Sequence, residues 1–348
     1  MLLDAEWKAV EGSKYFGTPY LYKENGFKER EKAEELIAYL KEEPPLEAKV
    51  LSKEKKKETK NPPLLYNLAE LQNDCSKMFK ISPDETLKVV QELYEKKLVT
   101  YPRTDARVLS TAVAKEIYKN INGLMRYEPM AGFAKEAMDL GSFKGIAKTR
   151  YVNDKQITDH YAIIPTGQGM GNLRGLSPLS EKVYQVVCRR FLSIFYPAAI
   201  YQKYSLVLER KKEQFFASFK VLSEPGYLKV ADVNLAKKSS IQETFSDEKE
   251  GNSAQTDEKN AEIPKVDRTL LLQVLADLKK NAILTIADLK VKEGETSPPK
   301  RYTSGSMILA MENAGQLIED EELRVPDQGQ RHRHQCHQSG DTEKTGQY

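Results

Sequence analysis

Residues 82–105, SPDETLKVVQELYEKKLVTYPRTD, decide the local fold because they join a helix start to an extended segment. Ser82 can cap the helix, and the proline that follows it suits the first helical turn. Apolar residues then recur at helical spacing at Leu87, Val90, Tyr94 and Leu98. The helix must end before Pro102, because the residue before a proline is pushed towards extended geometry. The pattern predicts a helix that leads into an extended segment around Tyr101.

Helices and strands are predicted on both sides of this stretch. Apolar periodicity favours helices at residues 28–43, 64–71, 111–121, 180–196, 270–278, 283–289 and 304–318. Residues 204–230 alternate as a β-hairpin does, with Glu224-Pro225-Gly226 as the expected turn. The lysine-rich run at residues 53–60 fits either a solvated strand or a linker.

Composition narrows the class of protein without naming a function. The 348 residues can form two or three domains with buried cores, and 40% apolar with 30% charged residues is typical of a folded chain. No run of about 18 apolar residues occurs, so we expect no membrane-spanning helix. Three widely spaced cysteines suit a reducing cytoplasm. The net charge of +3 permits a nucleic-acid partner without requiring one.

Tyr101 is a candidate nucleophile. Alternate side chains of an extended segment share a face, so Tyr101, Arg103 and Asp105 should lie on one side. A tyrosine hydroxyl has an ordinary pKa near ~10, so its attack on a phosphate requires a nearby positive charge or a base. Arg103 can supply the charge and a two-pronged hydrogen bond, and Asp105 can orient its guanidinium. Chemistry alone leaves open the alternative that Tyr101 is an ordinary packing residue.

The segment Leu98–Asp105 (LVTYPRTD) resembles the nucleophile motif of type IA DNA topoisomerases, and of the topoisomerase III branch most of all. Further segments resemble other parts of that family in the same order: NPPLLYNLAELQ (61–72), TDHYAIIPT (158–166), RFLSIFYPAAIY (190–201) and PPKRYTSGSMILAMENA (298–314). Ordered motifs over so much of the chain make the resemblance highly specific. Two mild departures are Ala106, where the family usually has serine, and Tyr161, where it usually has histidine.

The resemblance implies roles for particular side chains. Tyr101 would be the nucleophile that takes the 5′ phosphate of a cut strand, and Arg103 would steady the scissile phosphate. His160 would contact a DNA phosphate or help to order the site. The implied DNA contacts are Gln72, Asp105, Arg301, Tyr302, Thr303 and Ser304. Because the covalent link keeps the energy of the broken phosphodiester, resealing would need no nucleotide. The chain agrees, since it has no Gly-Lys pair and therefore no P-loop.

The resemblance also implies a mixed α and β, multi-domain fold, in which a helical nucleophile domain is joined to β-rich arch segments of a toroid. The expected segments are 1–60 (partial helical or arch segment), 61–196 (nucleophile domain), 197–236 (β-rich arch), 237–262 (flexible linker), 263–324 (helical, single-strand-binding) and 325–348 (tail read out of frame). Single-stranded DNA is the implied partner. The implied state is a monomer without membrane association, and the implied location is cytoplasmic and nucleoid-associated.

Both ends of the chain depart from the family pattern. The family begins with a domain whose glutamate and paired Asp-x-Asp hold Mg²⁺, and no counterpart precedes Tyr101, so we expect Met1 to be an internal start or a truncation point. From Pro326 the codons, read one nucleotide later, can spell QIKGSGIGTSATRAEILKKLVN, which is the family's continuation. We therefore expect a frameshift near Val325, which sequencing of the coding DNA would test. On that hypothesis no metal site is formed by the tail residues His332, His334, Cys336 and His337.

Two hypotheses for the function stay open. The chain is either an enzyme that cuts DNA only when the missing metal-binding domain is supplied, or a single-stranded DNA-binding remnant without catalysis. Other tyrosine nucleophiles fit less well. Recombinases place the tyrosine after their arginine and histidine motifs, whereas Tyr101 precedes His160. Relaxases need a histidine cluster for metal, and here the clustered histidines lie in the suspect tail.

Overall fold

The computed structural model describes residues 3–23, 25–231, 274–275 and 277–313, which form two compact units. The first unit contains residues 3–60 and 199–225 with the described part of 234–297, and the second contains 61–198, 226–231 and 298–313. Three expected segments lie wholly or partly outside the described residues. They are the linker at 237–262, the tail at 325–348, and the segment 263–324 apart from residues 274–275 and 277–313. The fold is mixed α and β, as the sequence predicts.

The first unit is built on one antiparallel sheet. In chain order its strands are β1 (Glu6–Lys8), β4 (Glu47–Lys60), β5 (Ala199–Arg210), β6 (Glu213–Glu224) and β7 (Ile283–Thr285), with β2 (Leu21–Lys23) and β3 (Gly26–Phe27) forming a separate pair. The order across the main sheet is β1-β6-β5-β4-β7. Alternation places one set of side chains on the buried face, namely Tyr204, Leu206, Ala217, Phe219 and Val221 with Leu275. Helix α1 (Arg30–Lys41) confirms the helix predicted at 28–43.

The lysine-rich run is a strand, which confirms one of the two interpretations of its sequence. Residues 53–60 form the second half of β4 and pair with β5, from Lys53 opposite Leu206 to Lys60 opposite Ala199. Strand β7 pairs only with Glu47–Lys49, so within the described part of the chain this half of β4 is an edge. Charged side chains on an edge strand, lysine above all, disfavour pairing with another sheet.

The β5–β6 hairpin turns at Lys211-Lys212, and the predicted turn at Glu224-Pro225-Gly226 is wrong. Both lysines have positive φ, 50° and 67°, which is the geometry that Asn-Gly usually supplies in a two-residue hairpin. The ammonium of Lys211 donates to the Tyr39 carbonyl at 2.9 Å and lies 4.6 Å from the centre of that ring. These long-range contacts favour a turn at Lys211-Lys212, which the local sequence does not predict.

The predicted helix at residues 283–289 is also wrong, because its first three residues form β7. Ile283, Leu284 and Thr285 pair with Lys49, Ala48 and Glu47. Short apolar segments suit a strand or a helix equally well by periodicity alone. The exposed edge of β4 therefore decides the outcome, since it supplies backbone partners that the segment itself lacks.

The second unit is helical. Its helices are α2 (Leu68–Phe79), α3 (Pro83–Glu95), α4 (Thr111–Glu116), α5 (Tyr118–Leu124), α6 (Glu128–Leu140), α7 (Pro178–Ser193), α8 (Leu228–Ala231) and α9 (Ser304–Glu312). The predicted start of α3 is confirmed, since the Ser82 hydroxyl accepts from the backbone of Glu85 at 3.1 Å. The helix predicted at 111–121 is divided into α4 and α5. No helix in the described part of the chain is both long and apolar enough to cross a membrane.

Helix α2 begins later than its apolar spacing suggests. Leu64 and Leu65 precede the helix, and Asn67 caps it by accepting from the backbone of Glu70 at 2.9 Å. The preceding segment makes sheet-like bonds instead, including one from the Ile163 backbone to the carbonyl of Tyr66 at 2.8 Å. This bond brings the start of α2 against the residues that carry the candidate histidine motif.

Candidate nucleophile site

Tyr101 lies between two threonines that fasten its segment to a second segment of the chain. The backbone N–H of Thr100 donates to the carbonyl of Ile164 at 3.0 Å. The hydroxyl of Thr104 donates to the carbonyl of His160 at 2.8 Å. The two motifs singled out in the sequence, though far apart along the chain, are therefore neighbours.

Burial alternates along the nucleophile segment, as extended geometry predicts. Pro102 and Thr104 are buried. Tyr101 and Asp105 are half-buried, and Arg103 is exposed. The alternation directs the three candidate side chains away from the buried pair, so they share one accessible face.

The Tyr101 ring lies between two other rings. Its centre is 4.4 Å from that of His160, at an interplanar angle of 42°. Tyr94 meets it edge-on at 5.5 Å and 82°. The sequence pattern assigned Tyr94 to the apolar stripe of its helix, but its side chain is 39% exposed, and the buried stripe of α3 is Thr86, Val89, Val90 and Leu93. Helical spacing assigned Tyr94 to the buried face because a tyrosine ring is apolar enough to suit either the buried or the exposed face of a helix.

The accessible face offers a permanent cation and a titratable ring beside a phenol. Arg103 is exposed two residues after Tyr101, and His160 is exposed next to the Tyr101 ring. A guanidinium stays charged at all ordinary pH values and matches the fork of two phosphate oxygens. An imidazole N–H can donate a hydrogen bond to a phosphate oxygen. The arrangement can hold a phosphodiester against the phenol oxygen.

Helix α9 carries the other candidate DNA contacts at its N-terminal end. Arg301, Tyr302, Thr303 and Ser304 are all exposed, and the Tyr302 side chain is 59% accessible. Thr303 caps the helix in a reciprocal box with Ser306, so its hydroxyl accepts from the Ser306 backbone at 3.2 Å. The helix docks on α2 through Gly305, where a Cβ would lie only 2.9 Å from the Cα of Asn73. Backbone N–H groups at such a helix end favour anions.

The structure does not support a DNA-facing position for Gln72. Its side chain is only 4% exposed, and its amide donates to the carbonyl of Pro83 at 3.0 Å. The amide satisfies a carbonyl at the start of α3 and so ties α2 to α3. Burial against the next helix explains why a polar residue in this motif is not a surface contact, and we correct the expectation accordingly.

Asn67 is a functional candidate that the sequence analysis missed. It is 1% exposed, and its amide donates to the backbone carbonyl of Asp105 at 3.2 Å and to the carboxylate of Glu312 at 2.6 Å. Its position before a helix, with Glu70 three residues later, is a readable capping signal. Nothing local in the sequence indicates the contact with Glu312.

Glu312, the last residue of α9, has a strongly perturbed carboxyl. The residue is exposed as a whole, but burial of its carboxyl, followed by the like charge of Asp105, raises its pKa to about 7. The charge of Glu70 acts in the same direction, while the Asn67 hydrogen bond and Arg107 oppose the rise. Arg107 is itself paired with Glu70 at 2.7 Å.

A buried cluster supports the segment that precedes α2. The Arg190 guanidinium lies 4.0 Å from the centre of the Tyr66 ring and pairs with Asp74 at 2.8 Å. The Tyr66 hydroxyl donates to the same carboxylate at 2.7 Å, and Arg190 also donates to the carbonyl of Leu64 at 2.9 Å. Burial raises the pKa of Tyr66 well above its ordinary value, so this tyrosine stays protonated. Its role is to hold the scaffold.

The described residues contain no group of three or more His, Cys, Asp or Glu side chains arranged to hold a metal ion. Asp154, one of the few acids near the motifs, accepts from the backbone and hydroxyl of Thr111 at 2.8 and 2.5 Å. Those hydrogen bonds lower its pKa and give it a structural role before α4. The donor set in this part of the chain does not fit a magnesium site, and the histidine-rich tail lies outside the described residues.

The chain matches the family model described as DNA topoisomerase over residues 5–316. It is similar to DNA topoisomerase 3 of Bacillus subtilis (strain 168), at 35% identity over 263 residues that cover 75% of this chain and 32% of the relative. DNA topoisomerase 3 of Bacillus licheniformis gives 34% over 264 residues, covering 76% and 32%. The chain therefore spans about a third of the length of these curated relatives.

A solved structure gives the same fold. Full-length topoisomerase I from Thermotoga maritima aligns with a TM-score of 0.54 at 21% identity, covering 90% of this chain and 42% of that chain. At that identity the likeness concerns the fold alone. The family match over residues 5–316 goes further, and it shows that the chain belongs to the type IA DNA topoisomerase family.

Proposed function

We propose that Tyr101 is the nucleophile of a reaction that cuts and rejoins single-stranded DNA through a 5′-phosphotyrosine link. The observation that carries the proposal is the packing of the half-buried Tyr101 ring against the exposed His160, with an exposed arginine, Arg103, two residues further along the same segment. Family membership adds the class of substrate, since topoisomerases act on DNA. The chain's own activity remains a proposal, because it spans only about a third of its relatives.

The chemistry is an exchange of one phosphate ester for another. The phenol oxygen of Tyr101 bonds to phosphorus as the bond from phosphorus to the 3′ oxygen breaks. The phenolic proton is lost, and the departing 3′ oxygen takes up a proton. Because the new ester keeps the energy of the old one, attack by the 3′ hydroxyl reseals the strand without a nucleotide.

Arg103 and His160 assist this exchange in different ways. The Arg103 guanidinium steadies the scissile phosphate with two parallel hydrogen bonds and offsets the charge that develops on its oxygens. His160, which packs against the nucleophile ring, orders Tyr101 or contacts the neighbouring phosphate. Both roles require only groups that lie on the accessible face.

The N-terminal end of α9 grips the strand beside the site. Tyr302 provides an exposed ring on which a base can stack, and Arg301 provides a charge for the backbone. Thr303 and Ser304 add hydroxyls at the helix terminus, where an anion is favoured. Asp105, half-buried two residues beyond Arg103, is the DNA contact that we propose on the nucleophile segment itself.

We propose Mg²⁺ as a cofactor on the basis of family membership alone, because type IA topoisomerases are consistent with the use of this ion. The described residues supply no fitting set of ligands for it. We propose that cutting requires the family's metal-binding domain, supplied in trans. We propose further that the protein is a cytoplasmic, nucleoid-associated monomer, and sedimentation of the purified chain at two concentrations would reveal self-association if that is wrong.

The test is a covalent-adduct assay. The chain is mixed with Mg²⁺ and 3′-labelled single-stranded DNA, whose label stays on the piece joined to the tyrosine, with and without the family's metal-binding domain, and denatured samples are separated on a gel. We expect a protein–DNA adduct only with the added domain, and no adduct from the variant Tyr101→Phe. Tyr118→Phe is the matched control, because Tyr118 is an exposed tyrosine of the same unit that lies outside the motifs. An adduct that survives Tyr101→Phe would sink the assignment.

A second candidate function is binding of single-stranded DNA without catalysis. The exposed group at the start of α9, found without a metal-holding cluster among the described residues, favours this alternative. It predicts retained DNA binding in Tyr101→Phe and no adduct in either mixture. That result would replace the enzymatic proposal with the binding module.

A further inference from the structure

We propose that Glu312 is a positioning residue that holds α9 against the nucleophile segment through Asn67 while its carboxyl is protonated, and that repulsion from Asp105 loosens this contact when the carboxyl ionises. This contact lies within the chain and does not depend on DNA. Its consequence for DNA rests on the proposed function, because α9 carries the strand-gripping residues.

The geometry rests on one buried amide that touches three elements. Asn67 donates one bond to the backbone of Asp105 on the nucleophile segment and another to the carboxylate of Glu312 on α9. Its side-chain oxygen caps α2 by accepting from Glu70. The amide is 1% exposed, so no solvent molecule can readily replace these partners. The placement of α9 relative to Tyr101 therefore depends on whether Glu312 keeps its bond.

The charges around Glu312 oppose its ionisation. The groups that act on it within the described residues are Glu70 from α2, and Asp105 and Arg107 from the nucleophile segment. Arg107 is the cation of this group, and it is already paired with Glu70 at 2.7 Å. An ionised Glu312 would be repelled by Asp105 first and by Glu70 second, and the attraction of Arg107 is smaller than the effect of Asp105.

The contact of α9 should weaken as pH rises, because docking raises the pKa of Glu312. Burial and the charge of Asp105 raise the pKa of Glu312 from 4.5 to about 7, so the docked state holds a proton that an undocked glutamate would have lost. The stabilisation is fully present below the ordinary glutamate pKa and is lost as pH rises through the raised value. A neutral carboxyl still accepts the Asn67 bond through its carbonyl oxygen and does not repel Asp105.

Hydrogen–deuterium exchange of the α9 peptide tests the inference directly and without DNA. Rates at pH 6 and pH 8, corrected for intrinsic exchange, are compared in wild type, Glu312→Gln and Glu95→Gln. We expect wild-type protection to fall by roughly tenfold from pH 6 to pH 8, because a docked carboxyl with a pKa of about 7 is mostly protonated at the first pH and mostly ionised at the second. Glu312→Gln keeps the acceptor without the charge, so its protection should be the same at both pH values. Glu95 is likewise the last residue of its helix, and its variant should behave as wild type.

The DNA consequence is measured by fluorescence anisotropy with a labelled single strand over the same pH range. Wild-type affinity should fall across neutral pH by a similar factor, Glu312→Gln should show no such fall, and Glu312→Ala should bind weakly throughout. Equal pH dependence of exchange in wild type and Glu312→Gln, or none in wild type, overturns the inference. Failure of every variant to bind DNA refutes the proposed function instead, and exchange still decides the role of Glu312.

Discussion

At the residue scale, a buried hydroxyl rather than the nucleophile itself fixes the site. Thr104 is 5% exposed, donates to the carbonyl of His160 at 2.8 Å and accepts from the backbone of Ala106 at 3.1 Å. The Thr104 hydroxyl thus joins the segment of Tyr101 to that of His160 and also bonds within its own segment. Tyr101 contributes the reactive atom, and Thr104 helps to position it.

We expect Thr104→Val to lower the free energy of unfolding by about 1–3 kcal/mol, because the isosteric valine removes the donor to the His160 carbonyl and leaves the buried N–H of Ala106 without this acceptor. Thr104→Ser keeps the hydroxyl and should recover most of the loss. Urea denaturation of the three proteins measures the difference. A valine variant as stable as wild type would mean that water replaces the hydroxyl and that the bond does not position the site.

At the element scale, local signals predicted the parts of the fold that are stabilised locally. The start of α3 at Ser82 and the helix at 180–196 were readable, because a cap and an apolar stripe act within a few residues. Strand β7 was not readable, since it depends on the edge of β4. The site divides in the same way into local and long-range parts. Alternation within one segment predicts that Tyr101 and its neighbours share a face. The hydrogen bond from Asn67 to Glu312 is not predictable from local sequence, because it joins residues 245 positions apart.

The hairpin between β5 and β6 provides a prediction at this scale. Lys212 is exposed and has φ 67°, a conformation that costs an L-residue roughly 1–2 kcal/mol and glycine almost nothing. We expect Lys212→Gly to raise the free energy of unfolding of this unit by about 1 kcal/mol. Lys212→Ala removes the same side chain but keeps Cβ, so it should be close to neutral. If the two variants were equally stabilised in thermal denaturation, the added stability would come from the loss of the lysine charge and not from relief of backbone strain.

At the scale of the whole molecule, charge is too evenly balanced to explain DNA binding. The chain has 54 basic and 51 acidic residues, so its net charge is +3. Single-strand affinity must therefore arise from a local surface, and the proposed surface combines charge with an exposed ring. These two contributions respond differently to salt, because only phosphate contacts release counterions.

The salt dependence of single-strand binding separates the two contributions. We expect Arg301→Ala to weaken binding and to reduce the slope of log affinity against log salt by about 0.7, the value for one phosphate contact on a single strand. Tyr302→Ser should weaken binding by about 1–3 kcal/mol, the range for one stacked base, and leave the slope unchanged. Arg126→Ala is the matched control, since Arg126 is exposed in the same unit but lies outside the motifs. If Arg126→Ala changes the slope as much as Arg301→Ala does, binding follows overall charge and the start of α9 has no special part in it.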